Sequence, residues 1–145
     1  MKILITREQT LALTFAASWN RLEKRLDSSL GAVRGISFAE YRLLRALSDA
    51  PSAWASRVDL AQTVGLTPSG VTRALRPLEK LGYVTTAKSK RDARLALASL
   101  TPPGQELVND ASAVVNDLMN ALLERARKAP NQVEEMIGML EEFSR

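Results

Sequence analysis

The sequence runs to 145 residues, the size of one typical domain, with 46% apolar and 25% charged residues and a net charge of +4. It contains no cysteine and no histidine, which excludes disulfide staples, thiolate metal sites and thiol redox sensing and removes the usual general base at neutral pH. It also lacks a G-x-S-x-G elbow, a phosphate-binding glycine loop and an acidic cluster at metal spacing, so neither an enzyme nor a cofactor is expected.

The opening Met1-Lys2-Ile3-Leu4-Ile5 starts like a secretory signal, but Arg7 and Glu8 interrupt it too early. No apolar stretch approaches the roughly 18–20 residues that span a bilayer, so a cytoplasmic chain is expected. Leu11, Phe15, Trp19, Leu22, Leu26 and Leu30 recur every three or four residues, the spacing of a helix's apolar stripe, with Gly31 as its stop. Ser37-x-x-Glu40 is a capping box for a second helix, whose apolar positions Phe38, Tyr41, Leu44 and Leu47 run out before Pro51. Ser56-x-x-Asp59 caps a short third helix over residues 57–64, ended by Gly65. Thr67-Pro68 opens a fourth, with a hydroxyl cap before a proline at the first helical position; Val71, Ala74, Leu75, Leu78 and Leu81 form its stripe and Gly82 closes it. Pro77 lies inside this helix and removes the bond to the Arg73 carbonyl, so the helix is expected to bend there or to end its useful part near Arg76.

After Gly82 the period changes. Tyr83–Thr86 and Leu95–Ala98 read as two short strands, joined by the basic loop Lys88–Arg94. Thr101-Pro102 starts a long fifth helix with Leu107, Ala111, Val114, Leu118 and Leu122 on one face. Pro130 interrupts it, and Val133, Met136, Ile137, Leu140 and Phe143 mark a sixth. The fold class is therefore mainly α, six helices with one small β-hairpin.

Charge is localised on this frame. Residues 57–94 hold 8 basic against 3 acidic side chains, whereas residues 101–145 hold 4 basic against 8 acidic. A basic middle third is the footprint of a polyanion site. The short third helix, the turn at Gly65-Leu66 and the fourth helix make a helix-turn-helix. Thr67, Ser69, Thr72, Arg73, Arg76 and Lys80 fall at its cap and on the side opposite the leucines, where an ordinary surface helix would mix its charges; Glu79 is the lone acid. Donors near the start of such a helix suit base edges and phosphates in a major groove. Lys88, Lys90, Arg91, Asp92 and Arg94 form a charged tip beside it, with arginines suited to a narrow A·T-rich minor groove.

The run Leu60-Ala61 through Gly65-Leu66-Thr67-Pro68-Ser69-Gly70-Val71-Thr72-Arg73, then Leu78-Glu79-Lys80-Leu81-Gly82-Tyr83-Val84, resembles the MarR family of winged helix-turn-helix transcriptional regulators. Asp92-Ala93-Arg94 resembles that family's Asp-x-Arg wing motif, and Leu100-Thr101-Pro102-Pro103-Gly104 its Leu-Thr-x-x-Gly start to a long helix. The likeness covers nearly the whole chain. It implies a sequence-specific regulator, a repressor, acting as a homodimer on a pseudo-palindromic operator of double-stranded DNA. It also implies a DNA-binding lobe at residues 38–100, with residues 1–30 and 102–145 joining two copies. Arg94 would be the wing arginine, oriented by Asp92, while Ala93 replaces a basic residue common in relatives and implies a looser grip. Release of DNA by a small aromatic ligand is implied as well. Trp19, Phe38, Tyr41 and Arg45 are the candidate lining, and the same aromatics also read as plain core. Two other functions remain open: a winged-helix protein-interaction module, which the retained Arg73, Arg76 and Asp92-x-Arg94 argue against, and a non-specific architectural DNA binder governed by salt.

Overall fold

The computed structural model describes residues 1, 3–92 and 94–145; Lys2, in the signal-like opening, and Ala93, in the wing motif, lie outside the described residues. The elements follow in the order α1 (Arg7–Arg34), α2 (Phe38–Ser48), β1 (Ala55–Ser56), α3 (Arg57–Val64), α4 (Pro68–Lys80), β2 (Val84–Lys88), β3 (Ala96–Leu100), α5 (Pro102–Arg125) and α6 (Pro130–Phe143). This is the six-helix winged fold expected from the sequence, with one additional strand. Among the described residues no helix is long and apolar enough to cross a membrane. The chain divides into two compact units, Met1–Val114 and Val115–Arg145, with the boundary inside α5.

In the first unit α1 begins with a capping box: Thr6 Oγ1 accepts the Gln9 N–H at 3.1 Å, and Gln9 Oε1 accepts the Thr6 N–H at 2.9 Å. The helix passes through Gly31 and stops at Gly35, where φ is 69° and the N–H meets the Leu30 and Gly31 carbonyls. The expected stop at Gly31 is thus one turn early. A glycine inside a helix costs about 0.5–1 kcal/mol relative to alanine, too little to end a helix that finds a left-handed cap four residues later. The extra turn lets Arg34 reach Asp110 of α5. The Tyr83 hydroxyl foremost, aided by the Asp110 carboxylate, holds the Arg34 guanidinium above its ordinary range and outweighs the desolvation that lowers it.

The buried core takes Leu26 and Leu30 from α1, Leu43, Leu44 and Leu47 from α2, Leu60 and Val64 from α3, Val71, Leu75 and Leu78 from α4, and Leu107, Val108 and Ala111 from α5. Each full burial of a leucine or valine contributes roughly 1.5–3 kcal/mol. Two parts of the expected stripes are not core. Leu11, Phe15 and Trp19 of α1 stay 56%, 50% and 39% exposed, and Leu81 is 67% exposed because it is the C-cap of α4 and points out of the last turn. Pro77 does not end α4: the helix continues to Lys80, and the Leu81 N–H donates to the Pro77 carbonyl at 3.1 Å. Residues 73 and 77 are exposed, so the Arg73 carbonyl that loses its helical partner lies where water can satisfy it.

The three strands form an antiparallel sheet in the order β1-β3-β2. Val84 pairs with Leu100 and Lys88 with Ala96 along the hairpin, while Ala55 and Ser56 add a short edge against Ala98 and Leu97. The strands sit one or two residues later than expected, and just beyond their paired ends the Tyr83 carbonyl accepts the Thr101 N–H at 3.1 Å. Thr101 fastens this corner twice more. Its hydroxyl donates to the Gly82 carbonyl at 2.6 Å and accepts the Gly104 N–H at 3.1 Å, capping α5. Gly104 then lies against the Tyr83 carbonyl so closely that no Cβ fits.

The second unit holds the end of α5 and all of α6. The turn between them holds Arg127 at φ 53°, and Gln132 Oε1 accepts the Ala129 N–H at 2.9 Å at the start of α6. No residue of α6 is buried, and Met136, Ile137, Met139, Leu140 and Phe143 are 37–66% exposed.

Candidate nucleic-acid interface

Local chemistry builds the helix-turn-helix. Ser56 Oγ accepts the Asp59 N–H at 3.1 Å to start α3, and Gly65, at φ 70°, turns the chain while the Leu66 N–H returns to the Ala61 carbonyl at 3.0 Å. Thr67 Oγ1 then accepts the Gly70 N–H at 3.0 Å to start α4. Burying Val71, Leu75 and Leu78 forces the opposite side outward, so Ser69, Arg73, Arg76 and Lys80 are exposed and Thr72 is half-buried. Not all of these groups are free to recognise a ligand. The Thr67 hydroxyl is spent on the cap and a 3.3 Å contact to Ser69 Oγ, and the Thr72 hydroxyl donates to the Pro68 carbonyl at 3.1 Å. The guanidinium and ammonium groups of Arg73, Arg76 and Lys80 form no ion pair among the described residues.

Glu79, the one acid of α4, does not stand among these cations as a repulsive charge. Its Oε1 accepts the Thr86 hydroxyl of β2 at 2.7 Å, which turns the carboxylate toward the wing strand. Thr86 was not among the site residues expected from sequence, since nothing local marks a threonine in a strand as the partner of a glutamate seven residues back.

The wing loop is ordered by its own side chains. Ser89 Oγ accepts the N–H groups of Arg91 and Asp92 at 3.2 and 3.4 Å, and the Ser89 N–H meets the Leu95 carbonyl at 2.8 Å. Asp92 Oδ1 accepts the Arg94 N–H at 3.0 Å and lies 3.5 Å from Arg94 Nε, while the Arg94 side chain stays 93% exposed. Lys88, Lys90 and Arg91 are also exposed. Ser89 is a second residue that sequence reading passed over; its signal is the Ser-x-x-Asp spacing, which marks a hydroxyl-stabilised turn.

Trp19, Phe38 and Tyr41 come together at the junction of α1 and α2. The Trp19 and Phe38 ring centroids are 5.9 Å apart and those of Phe38 and Tyr41 5.8 Å, with Tyr41 Oη 3.0 Å from Ser112 Oγ of α5. Arg45 instead faces Asp49, Nε to Oδ2 3.1 Å. Two cavities of this unit, about 260 and 400 Å³, have other walls.

A profile of the MarR family matches residues 34–95. Over 109 residues, 75% of this chain and 76% of the relative, the sequence is 35% identical to the HTH-type transcriptional repressor Rv2887 of Mycobacterium tuberculosis. The structure is similar to Sco3205, a MarR family transcriptional regulator from Streptomyces coelicolor solved in complex with DNA: TM-score 0.85 at 25% identity, covering 99% of this chain and 90% of that one. It is also similar to the transcriptional regulator BldR from Sulfolobus solfataricus, with TM-score 0.82 at 25% identity over 97% of this chain and 99% of that one.

Proposed function

This chain belongs to the MarR family of transcriptional regulators, and on that premise we propose that it is a sequence-specific repressor that binds a pseudo-palindromic operator as a homodimer. Members of this family regulate transcription and are not enzymes. A transcriptional regulator works where the DNA is, in the cytoplasm of a bacterial or archaeal cell. The observation that carries the reading is the exposed face of α4, whose Arg73, Arg76 and Lys80 are held by a buried stripe yet form no ion pair among the described residues, beside a wing that extends Arg94. Arg73 and Ser69, near the N-terminal end of α4, read base edges in the major groove; Arg76 and Lys80 take phosphates; Lys88, Lys90, Arg91 and Arg94 meet the adjacent minor groove and backbone. Thr67 and Thr72 act through geometry, fixing the start of the helix with hydroxyls that are already engaged.

Residues 38–100 serve as the DNA-binding lobe, and residues 1–30 and 102–145 join two copies. The uncovered apolar side of α6 and the exposed Leu11 and Phe15 of α1 support that division. Two-fold symmetry then sets the recognition helices about 34–36 Å apart, one turn of DNA. A small aromatic ligand that stacks on the Trp19–Phe38–Tyr41 cluster would release the operator, without Arg45, which is engaged by Asp49. The name of Rv2887 supports repression over activation.

In-vitro selection from random duplexes at near-physiological salt tests the main reading. The expected result is an inverted repeat with half-sites about one helical turn apart. Binding without enrichment that vanishes as salt rises would replace the reading with an architectural binder, and no binding at any salt with an interaction module. Two mutants refine it. Arg94→Ala is expected to lose about 1.5 kcal/mol, roughly tenfold, at operators with A·T-rich flanks and less elsewhere; unchanged affinity at those flanks takes the wing out of the mechanism. Deleting residues 131–145 is expected to give monomers or aggregates in light scattering, and a well-folded dimer of the shortened chain would refute the interface assignment.

A further inference from the structure

The second tryptophan, Trp54, has no part in the DNA-binding face or in the aromatic cluster at α1. It follows the left-handed Ala53 (φ 63°) in the loop between α2 and β1, 37% exposed. Trp54 lines a cavity of about 400 Å³ bounded by the end of α2, the loop and α3. That volume falls within the roughly 300–1,000 Å³ of small-molecule sites.

The chemistry of the wall is one-sided. Ala50, Ala55 and Leu60 supply apolar surface, and the charged residues that line it are both acids, Asp49 and Asp59, in a chain whose net charge is +4. The two carboxylates are not equivalent. Arg45 already neutralises Asp49 at 3.1 Å, whereas Asp59 forms no ion pair among the described residues and accepts no side-chain hydrogen bond there. An aromatic wall beside an unpaired carboxylate favours a flat ring that carries positive charge: the indole face attracts both the ring and the cation, and the carboxylate repels an anion. We propose that this cavity is a binding site for a planar aromatic cation, stacked on Trp54 and held by Asp59. The site is separate from the proposed aromatic-ligand cluster and does not depend on the DNA-binding reading.

The test uses the full chain without DNA. In Trp19→Phe, Trp54 is the sole tryptophan, and its emission is followed as N-methylacridinium is added, with acridine-9-carboxylate as an anion of similar size. Saturable quenching at one cation per chain, at least tenfold tighter than the anion and at least tenfold weaker in Asp59→Asn, supports the site. In otherwise native protein, calorimetric titration should lose the binding heat on Trp54→Leu, with circular dichroism confirming the fold. Non-saturating quenching, equal affinity for cation and anion, or an unchanged Asp59→Asn overturns it.

Discussion

Gly104→Ala is expected to cost about 3 kcal/mol of stability and to lower the thermal midpoint by roughly 6–12 °C. The new Cβ would overlap the Tyr83 carbonyl oxygen and stand 3.0 Å from its carbon, and both are backbone atoms that cannot rotate away. Relief requires moving α5 or the start of β2. Either shift stretches the Thr101 N–H bond to Tyr83 at 3.1 Å and the Thr101 hydroxyl bond to Gly82 at 2.6 Å, leaving the carbonyl of half-buried Tyr83 under-satisfied. Pro103→Ala, one residue away and exposed, is the control and should stay within about 0.5 kcal/mol of the native chain. Thermal melts by circular dichroism decide it: a Gly104→Ala midpoint within about 2 °C of native would show that the close approach carries no strain.

Arg73→Ala should have the largest effect on DNA. A bidentate arginine–guanine pair contributes about 1–3 kcal/mol of discrimination, and the proposed two-fold dimer would place one in each half-site, so about 2–6 kcal/mol is at stake. At 1.4 kcal/mol per tenfold, that is a loss of operator affinity between roughly thirtyfold and twenty-thousandfold. Fluorescence anisotropy with the selected operator and a scrambled duplex, at one fixed salt, separates the roles. A base reader loses the preference for the operator and approaches its affinity for the scrambled sequence. A phosphate contact loses affinity equally on both and lowers the salt slope by about one per contact. Arg73→Lys sharpens the result, because it keeps the charge but not the planar fork, and should recover the scrambled duplex better than the operator. Equal losses on both duplexes would remove base reading from Arg73, and unchanged affinity would remove this face of α4 from the interface.

The parts of the structure legible in the sequence are those set by neighbours along the chain. Ser37, Ser56 and Thr67 cap helices at the positions their spacing predicts, and Gly65 turns between α3 and α4, because each bond closes within a few residues. The basic face of α4 follows from its leucines in the same way. What was missed depends on distant partners. Ala55-Ser56 has no strand-forming side chain and is a strand only because Ala98 and Leu97 lie beside it. Leu81 and Gly31 misled for a related reason: an apolar residue at helical spacing was read as core, and a glycine was read as a stop, where caps and tertiary contacts decided otherwise. At the site, the α4 cations could be named from sequence, but the engagement of the Thr67 and Thr72 hydroxyls and the diversion of Glu79 toward Thr86 required the folded backbone.

The Thr101 corner also separates the wing's roots from its tip. Tyr83 and Thr101 are bonded to each other, and Val84 pairs with Leu100, so both ends of the hairpin are fixed before the loop begins. A longer or shorter loop between Lys88 and Ala96 then changes nothing upstream, and doubling its length costs only about 0.6 kcal/mol in closure entropy. The tip is in that sense a replaceable part. Loops transplanted from other winged proteins between these two residues should leave the melting curve in place while changing which flanking sequences the protein prefers, so wing specificity could diversify without a new fold.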